Sequence, residues 1–199
     1  MANLTANISG EEGGQDPDRN HDYMSILFAN ITSYSEHVAF YIAGRSEDII
    51  LLAETHQDRQ KTLAMNAELG KHGWLATASP AMESDKSIFG NIAGVAVAIK
   101  KFIDNRPSSD CIDVKGSLSE NPFVTARTVV MQGHEIQSLA AYLECGGFKG
   151  RNLSTMEEID KRTRGGKDIF FCGLDGNMEP EEWDNFMACE LTWLDKAQR

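Results

Sequence analysis

At 199 residues, with 41% hydrophobic and 25% charged side chains, the chain is long enough for one domain with a real core and is composed like an ordinary globular protein, not a fibrous or wholly disordered one. Its formal charge of −11 excludes a protein that coats nucleic acid, but not a phosphate ester held beside a divalent cation that reverses the local potential. No apolar run approaches the roughly 20 residues of a membrane span, and no basic-then-apolar leader opens the chain, so no membrane span and an intracellular location are expected.

Residues 1–21 are rich in Gly, Asn, Asp and Glu and are expected to form a disordered tail, with 22–199 as one domain. YMSILFAN from Tyr23 is a short apolar run and reads as a buried strand. SEHVAFYIA (35–43) has helical spacing stopped by Gly44, and DIILLAE (48–54) is a second buried strand. Asp58 caps a helix over the next turns, which end at Lys71, His72 and Gly73. WLATAS reads as a strand and the segment after it as a loop of more than ten residues. GVAVAIKK (94–101), TARTVVMQ (125–132) and HEIQSLAAYLE (134–144) are three strands, the last two a hairpin about Gly133. A helix capped by Asn152 or Ser154 runs to about Arg164, the strand DIFFCGL follows, and a final helix begins near Pro180. This order predicts an α/β protein with a mixed sheet or two packed sheets. Glycine-rich nucleotide loops are absent from the sequence, and Cys111, Cys145, Cys172 and Cys189 lack metal-ligand spacing and read as buried or half-buried free thiols.

Polar residues sit where the predicted strands end: Asn30, Glu54, Tyr142, and Asp175 with Asn177. Strand ends are where ligands meet α/β sheets, and carboxylates with amides suit a hard cation such as Mg²⁺. Taken singly, Asn30 and Asp175 read first as turn or cap residues. Glu54 is a poor turn former at the rim of an apolar strand. His56 reads as a loop residue, and His21, His37, His72 and His134 as structural or solvated ones.

In order, the buried strand with Asn30, Glu54-Thr-His, Tyr142-Leu, and Gly-Leu-Asp175-Gly-Asn177-Met-x-Pro180-x-x-Trp183 resemble the successive motifs of endonuclease/exonuclease/phosphatase domains, over about residues 23 to 195. The resemblance implies a mixed-sheet α/β sandwich and a phosphoesterase dependent on Mg²⁺ or Mn²⁺. It implies Glu54 as the metal-binding carboxylate with Asn30 beside it. Asp175 would align or deprotonate the attacking water, Asn177 would stabilise the transition state, and Tyr142 would contact the phosphate.

The sequence also departs from that pattern. Leu174 precedes the Asp, Gly176 lies between Asp175 and Asn177, Thr32 stands where some members carry an acid, and Cys145 where many nucleases carry Asn. The family's closing Asp and Asp-His motif has no counterpart, since 22 residues follow Asn177 and none is His. The sandwich is therefore expected to be C-terminally incomplete, with a strand-poor sheet that self-associates or depends on a partner. Two readings remain: a phosphoesterase of reduced activity on a phosphate ester of unknown class, or a non-catalytic binding or interaction module retaining the fold.

Overall fold

The computed structural model describes residues 2–7, 23–84, 90–107, 116–146, 149–164, 169–177 and 181. In chain order these hold β1 (Ala2–Asn7), β2 (Tyr23–Asn30), α1 (Glu36–Ala43), β3 (Ile49–Ala53), α2 (Arg59–Lys71), β4 (Trp74–Ser79), β5 (Met82–Glu83), β6 (Asn91–Ile92), β7 (Val95–Lys100), β8 (Asn105–Pro107), β9 (Val124–Met131), β10 (His134–Tyr142), α3 (Arg151–Arg164) and β11 (Ile169–Asp175).

Fully apolar runs such as IILLA in β3 bury both faces, and the fold supplies a partner layer for each. One sheet runs β1-β2-β3-β7-β4 and the other β11-β10-β9-β8. Each contains one parallel pair, β2 with β3 and β10 with β11, among antiparallel neighbours. Between the sheets, Met24, Ile26, Ile49, Leu51, Val95 and Val97 meet Val129, Ile136, Ala140 and Tyr142. On the outer face of the first sheet, Leu27, Ile50, Leu52 and Ala98 pack against Ile42 of α1 and Met65 and Leu69 of α2. Across the second sheet, Val124, Ala126, Leu139 and Ala141 pack against Ile159 of α3. The result is a four-layer mixed-sheet α/β sandwich.

Local chemistry explains the element ends. Ser35 accepts from Val38 N and Asp58 from Lys61 N, so α1 and α2 start at side-chain caps. Gln132 and Gly133 both have positive φ, 52° and 79°, the two-residue turn whose twist suits a tight hairpin.

Three expectations are corrected. The stretch read as a disordered tail contains β1, whose backbone pairs antiparallel with β2 from Ala2 opposite Phe28 to Asn7 opposite Tyr23. The loop after β4 carries a short ribbon of β5 and β6. Asn152 lies inside α3 and caps no helix. Its amide instead accepts from Glu144 N at 2.8 Å and donates to Glu144 O at 2.7 Å, satisfying the backbone where β10 leaves the sheet. The final helix expected from Pro180 falls outside the described residues except for Glu181, which is helical.

Candidate active site

The two parallel pairs end at the same edge of the sandwich. Asn30 is the last residue of β2, opposite Ala53, and Glu54 follows directly on β3. Tyr142 and Asp175 face each other as the last residues of β10 and β11, with Asn177 two residues beyond. Parallel neighbours release their polar ends together, so each pair delivers its chemistry to one place.

A side-chain network then joins the sheets. Asn30 Nδ2 donates to Asp175 Oδ2 at 2.6 Å, across 145 residues of sequence. Asn30 Oδ1 accepts from Thr32 N at 2.9 Å, which turns the amide nitrogen towards Asp175. Asn177 Nδ2 donates to Leu143 O at 2.9 Å and also reaches Asp175 Oδ2 at 3.3 Å. The Glu54 carboxylate lies close enough to the Tyr142 hydroxyl to hold its pKa up, and the Tyr142 ring stacks on Phe123 at 6.3 Å between centroids. Asn30, Glu54, Tyr142, Asp175 and Asn177 thus form one cluster, and none of the five lies elsewhere.

The cluster concentrates negative charge. Burial pushes the Asp175 carboxyl above the usual carboxylate range and the Glu54 charge adds to this, against the lowering effect of the Asn30 and Asn177 bonds. Burial, and then Glu54, hold the Tyr142 phenol well above the ordinary phenol range, so it is a neutral O–H donor throughout physiological pH. Backbone strain collects here as well. Thr32, Glu54, His56, Ala93 and Asn177 all have φ between 42° and 62°, a region non-glycine residues occupy only when their surroundings impose it.

Among the described residues, no group of three or more His, Cys, Asp or Glu side chains is placed to hold a metal. A hydrated Mg²⁺ does not need one, since it takes one or two carboxylates and keeps its waters. Glu54, close enough for its charge to raise the Asp175 carboxyl, offers the one carboxylate that such an ion needs. Cys145, expected to be buried or half-buried, is exposed and near enough to Tyr142 to influence its ionisation. Cys172 is half-buried as expected, its thiol pushed up to about 12 by burial. Cys111 and Cys189 lie outside the described residues.

Sequence reasoning passed over the residues that hold the Glu54 loop. Thr55 N donates to Gly94 O at 2.9 Å and His56 N to Ala93 O at 3.2 Å, while Gln57 ties the same loop to Tyr34. Nothing in their spacing announced them, because most of these bonds run to backbone carbonyls, which any residue supplies.

No family model and no curated protein sequence matches the chain. Solved structures do match. The human Nocturnin catalytic domain with bound sulfate superposes with a TM-score of 0.57 at 16% identity, over 82% of this chain and 68% of that one. An endonuclease/exonuclease/phosphatase family protein from Leptotrichia buccalis gives 0.54 at 15% identity, over 83% of this chain and 72% of its own. A humanized D. rerio TDP2 gives 0.51 at 11% identity, over 82% and 70%. The chain has the endonuclease/exonuclease/phosphatase-type fold.

Proposed function

We propose that the chain is a divalent-metal-dependent phosphoester hydrolase. The observation that carries this reading is the Asp175 carboxylate, gripped by the Asn30 and Asn177 amides beside Glu54 and Tyr142, where the parallel pairs of both sheets end. The solved structures of the same fold add support, one of them having a sulfate, a phosphate-like anion, bound.

Glu54, with Asn30 beside it, would hold Mg²⁺ or Mn²⁺, and the ion when bound supplies Lewis-acid polarisation of the phosphoryl oxygens. Asp175 orients a water and takes its proton as oxygen attacks phosphorus and the ester P–O bond breaks. Its raised pKa makes it a stronger base than an exposed carboxylate at neutral pH. Asn30 fixes that carboxylate through Oδ2 and leaves Oδ1 for the water. The longer of the two Asn177 contacts, to Asp175 at 3.3 Å, is the N–H that passes to a phosphoryl oxygen as charge builds there. Tyr142 contributes a neutral O–H donor to the phosphate.

The test is release of p-nitrophenol from bis(p-nitrophenyl) phosphate and cleavage of an abasic-site duplex, each with Mg²⁺, Mn²⁺ or chelator. Turnover that needs the metal and disappears in Glu54→Gln is expected. A folded protein that hydrolyses neither substrate with either metal overturns the enzyme reading in favour of the non-catalytic module.

A further inference from the structure

β2 and β3 separate after Asn30 and Ala53, yet the loops that follow them stay in register. Ile31 N donates to Ala53 O at 3.1 Å and Tyr34 N to Thr55 O at 2.9 Å. Gln57 completes this pairing from the side. Its Nε2 donates to Tyr34 O at 3.1 Å and to Thr55 O at 3.0 Å, so one amide spans both loops. The backbone carbonyl of Gln57 accepts from Ala81 N at 2.8 Å and Thr62 Oγ1 at 3.2 Å, which anchors the residue to α2 and to the segment after β4. One of the bridged loops begins at Asn30, and the other carries Glu54. Thr55 lies between Glu54 and His56, both with left-handed backbone, at φ 57° and 53°. Backbone of that kind persists only where bonds outside it over-determine its shape.

We propose that Gln57 is a positioning residue of the site: by donating to both carbonyls it sets the separation of Asn30 and Glu54, and so of Asp175 from the metal carboxylate. Its role rests on the hydrolase reading, because only then does that separation matter to chemistry. It touches neither substrate nor metal. The two N–H donors are what the position requires. Methionine keeps the side-chain length and loses both, glutamate puts a carboxylate against two carbonyl oxygens, and lysine keeps N–H donors at similar reach.

The experiment combines amide hydrogen exchange, Mn²⁺ titration by paramagnetic broadening, and thermal melting of wild type, Gln57→Met, Gln57→Glu and Gln57→Lys. In Gln57→Met and Gln57→Glu, exchange at the Tyr34, Thr55 and His56 amides is expected to speed up about 10-fold or more while Val95 to Ile99 stay protected. Mn²⁺ affinity and kcat are expected to fall about 10- to 100-fold at nearly unchanged Tm, the usual consequence of losing a supporting bond behind a metal ligand. Gln57→Lys should recover the loop protection. Equal loop exchange and Mn²⁺ affinity in Gln57→Met and wild type would overturn the inference and leave the hydrolase reading intact. So would faster exchange spread evenly over β3 and β7 with a lowered Tm and unchanged Mn²⁺ affinity, the mark of a purely structural role. A wild type without any Mn²⁺ response removes the hydrolase reading and the positioning role with it. If Gln57→Met does not fold, the comparison of Gln57→Lys with Gln57→Glu decides between the same outcomes.

Discussion

At the end of the sandwich remote from the cluster, β9 turns into β10 through Gln132 and Gly133, and Arg106 pairs with Glu135. Arg45 pairs with Glu47 there, while Lys100 sits 3.7 Å over the Trp74 ring and donates to Arg45 O. Each charge named here has a counter-charge, a ring or a carbonyl, and Gln132 is that end's one left-handed non-glycine residue among those described. At the opposite end, five such residues gather, and burial with the Glu54 charge holds the Asp175 carboxyl above the usual range. The same sheets carry both ends, so the contrast is local. One end is arranged for stability, and the other keeps strain and, among the described residues, unbalanced charge where chemistry would use them.

The sharpest break of this contrast exchanges one charge at each end. Glu54→Gln is expected to lower kcat/KM on a metal-assisted phosphoester assay by about 10²- to 10⁴-fold while Tm stays within about 2 °C of wild type. Arg106→Ala is expected to leave kcat/KM unchanged and to cost no more than about 1 kcal/mol, because a pair this exposed contributes little. Equal catalytic losses in the two variants would erase the distinction.

Gly173 tests how closely the site depends on the packing beneath it. A Cβ built there lies 2.4 Å from Phe28 Cδ2 and 3.0 Å from Leu51 Cδ1, so β11 can approach β2 and β3 only without a side chain. Gly173→Ala is expected to cost about 1–3 kcal/mol in chemical denaturation and, by displacing Asp175 two residues on, to reduce turnover as well. Adding Phe28→Leu should return part of both. A stability loss with turnover intact would mean that Asp175 does not depend on the approach of β11.

Backbone strain can be relieved at either end by one kind of substitution. Gln132→Gly and Ala93→Gly each place glycine at a left-handed position and are expected to leave stability equal or raised by up to about 1 kcal/mol. Only Ala93→Gly should affect turnover, lowering it several-fold, because His56 N is bonded to Ala93 O. Turnover that falls in Gln132→Gly would show that strain at the two ends is not separable.

The sequence made the strands around the site legible, because β2, β3, β7, β9, β10 and β11 are apolar runs that end in polar residues. Those ends located Asn30, Glu54, Tyr142 and Asp175. β1 was not legible, since ANLTAN within a polar, glycine-rich stretch becomes a strand only through pairing with the free edge of β2. β5 and β6 are two residues each, too short for any periodicity. Asn152 carried the signature of a helix cap and was taken instead by the backbone of Glu144, a partner eight residues away that local rules do not weigh. Gln57 was invisible for a related reason: its two acceptors are carbonyls of Tyr34 and Thr55, and only the tertiary fold brings them together.

The smallest effect separating the two ends is one of sign. Glu47 has its carboxyl held below the usual range, first by the Arg45 hydrogen bond, whereas Asp175 is held above it, first by burial. A lowered folded-state pKa means that the unfolded chain binds the proton more readily. The Glu47 contribution is therefore present above the ordinary carboxylate range near pH 4 and is lost as pH falls below it. A raised folded-state pKa reverses this. The Asp175 contribution is full below that range and is lost as pH rises through the folded-state value, so at neutral pH the charged carboxylate destabilises the fold. Thermal melts between pH 3 and pH 8 should then separate two neutral variants. Glu47→Gln should be less stable than wild type at neutral pH and converge with it in acid. Asp175→Asn, which keeps an acceptor for the Asn30 amide, should gain on wild type as pH rises, by roughly 1–3 °C, while losing turnover. Parallel pH curves for the two variants would show that Asp175 carries no more electrostatic stress than a surface carboxylate, and the site end would lose its claim to unbalanced charge.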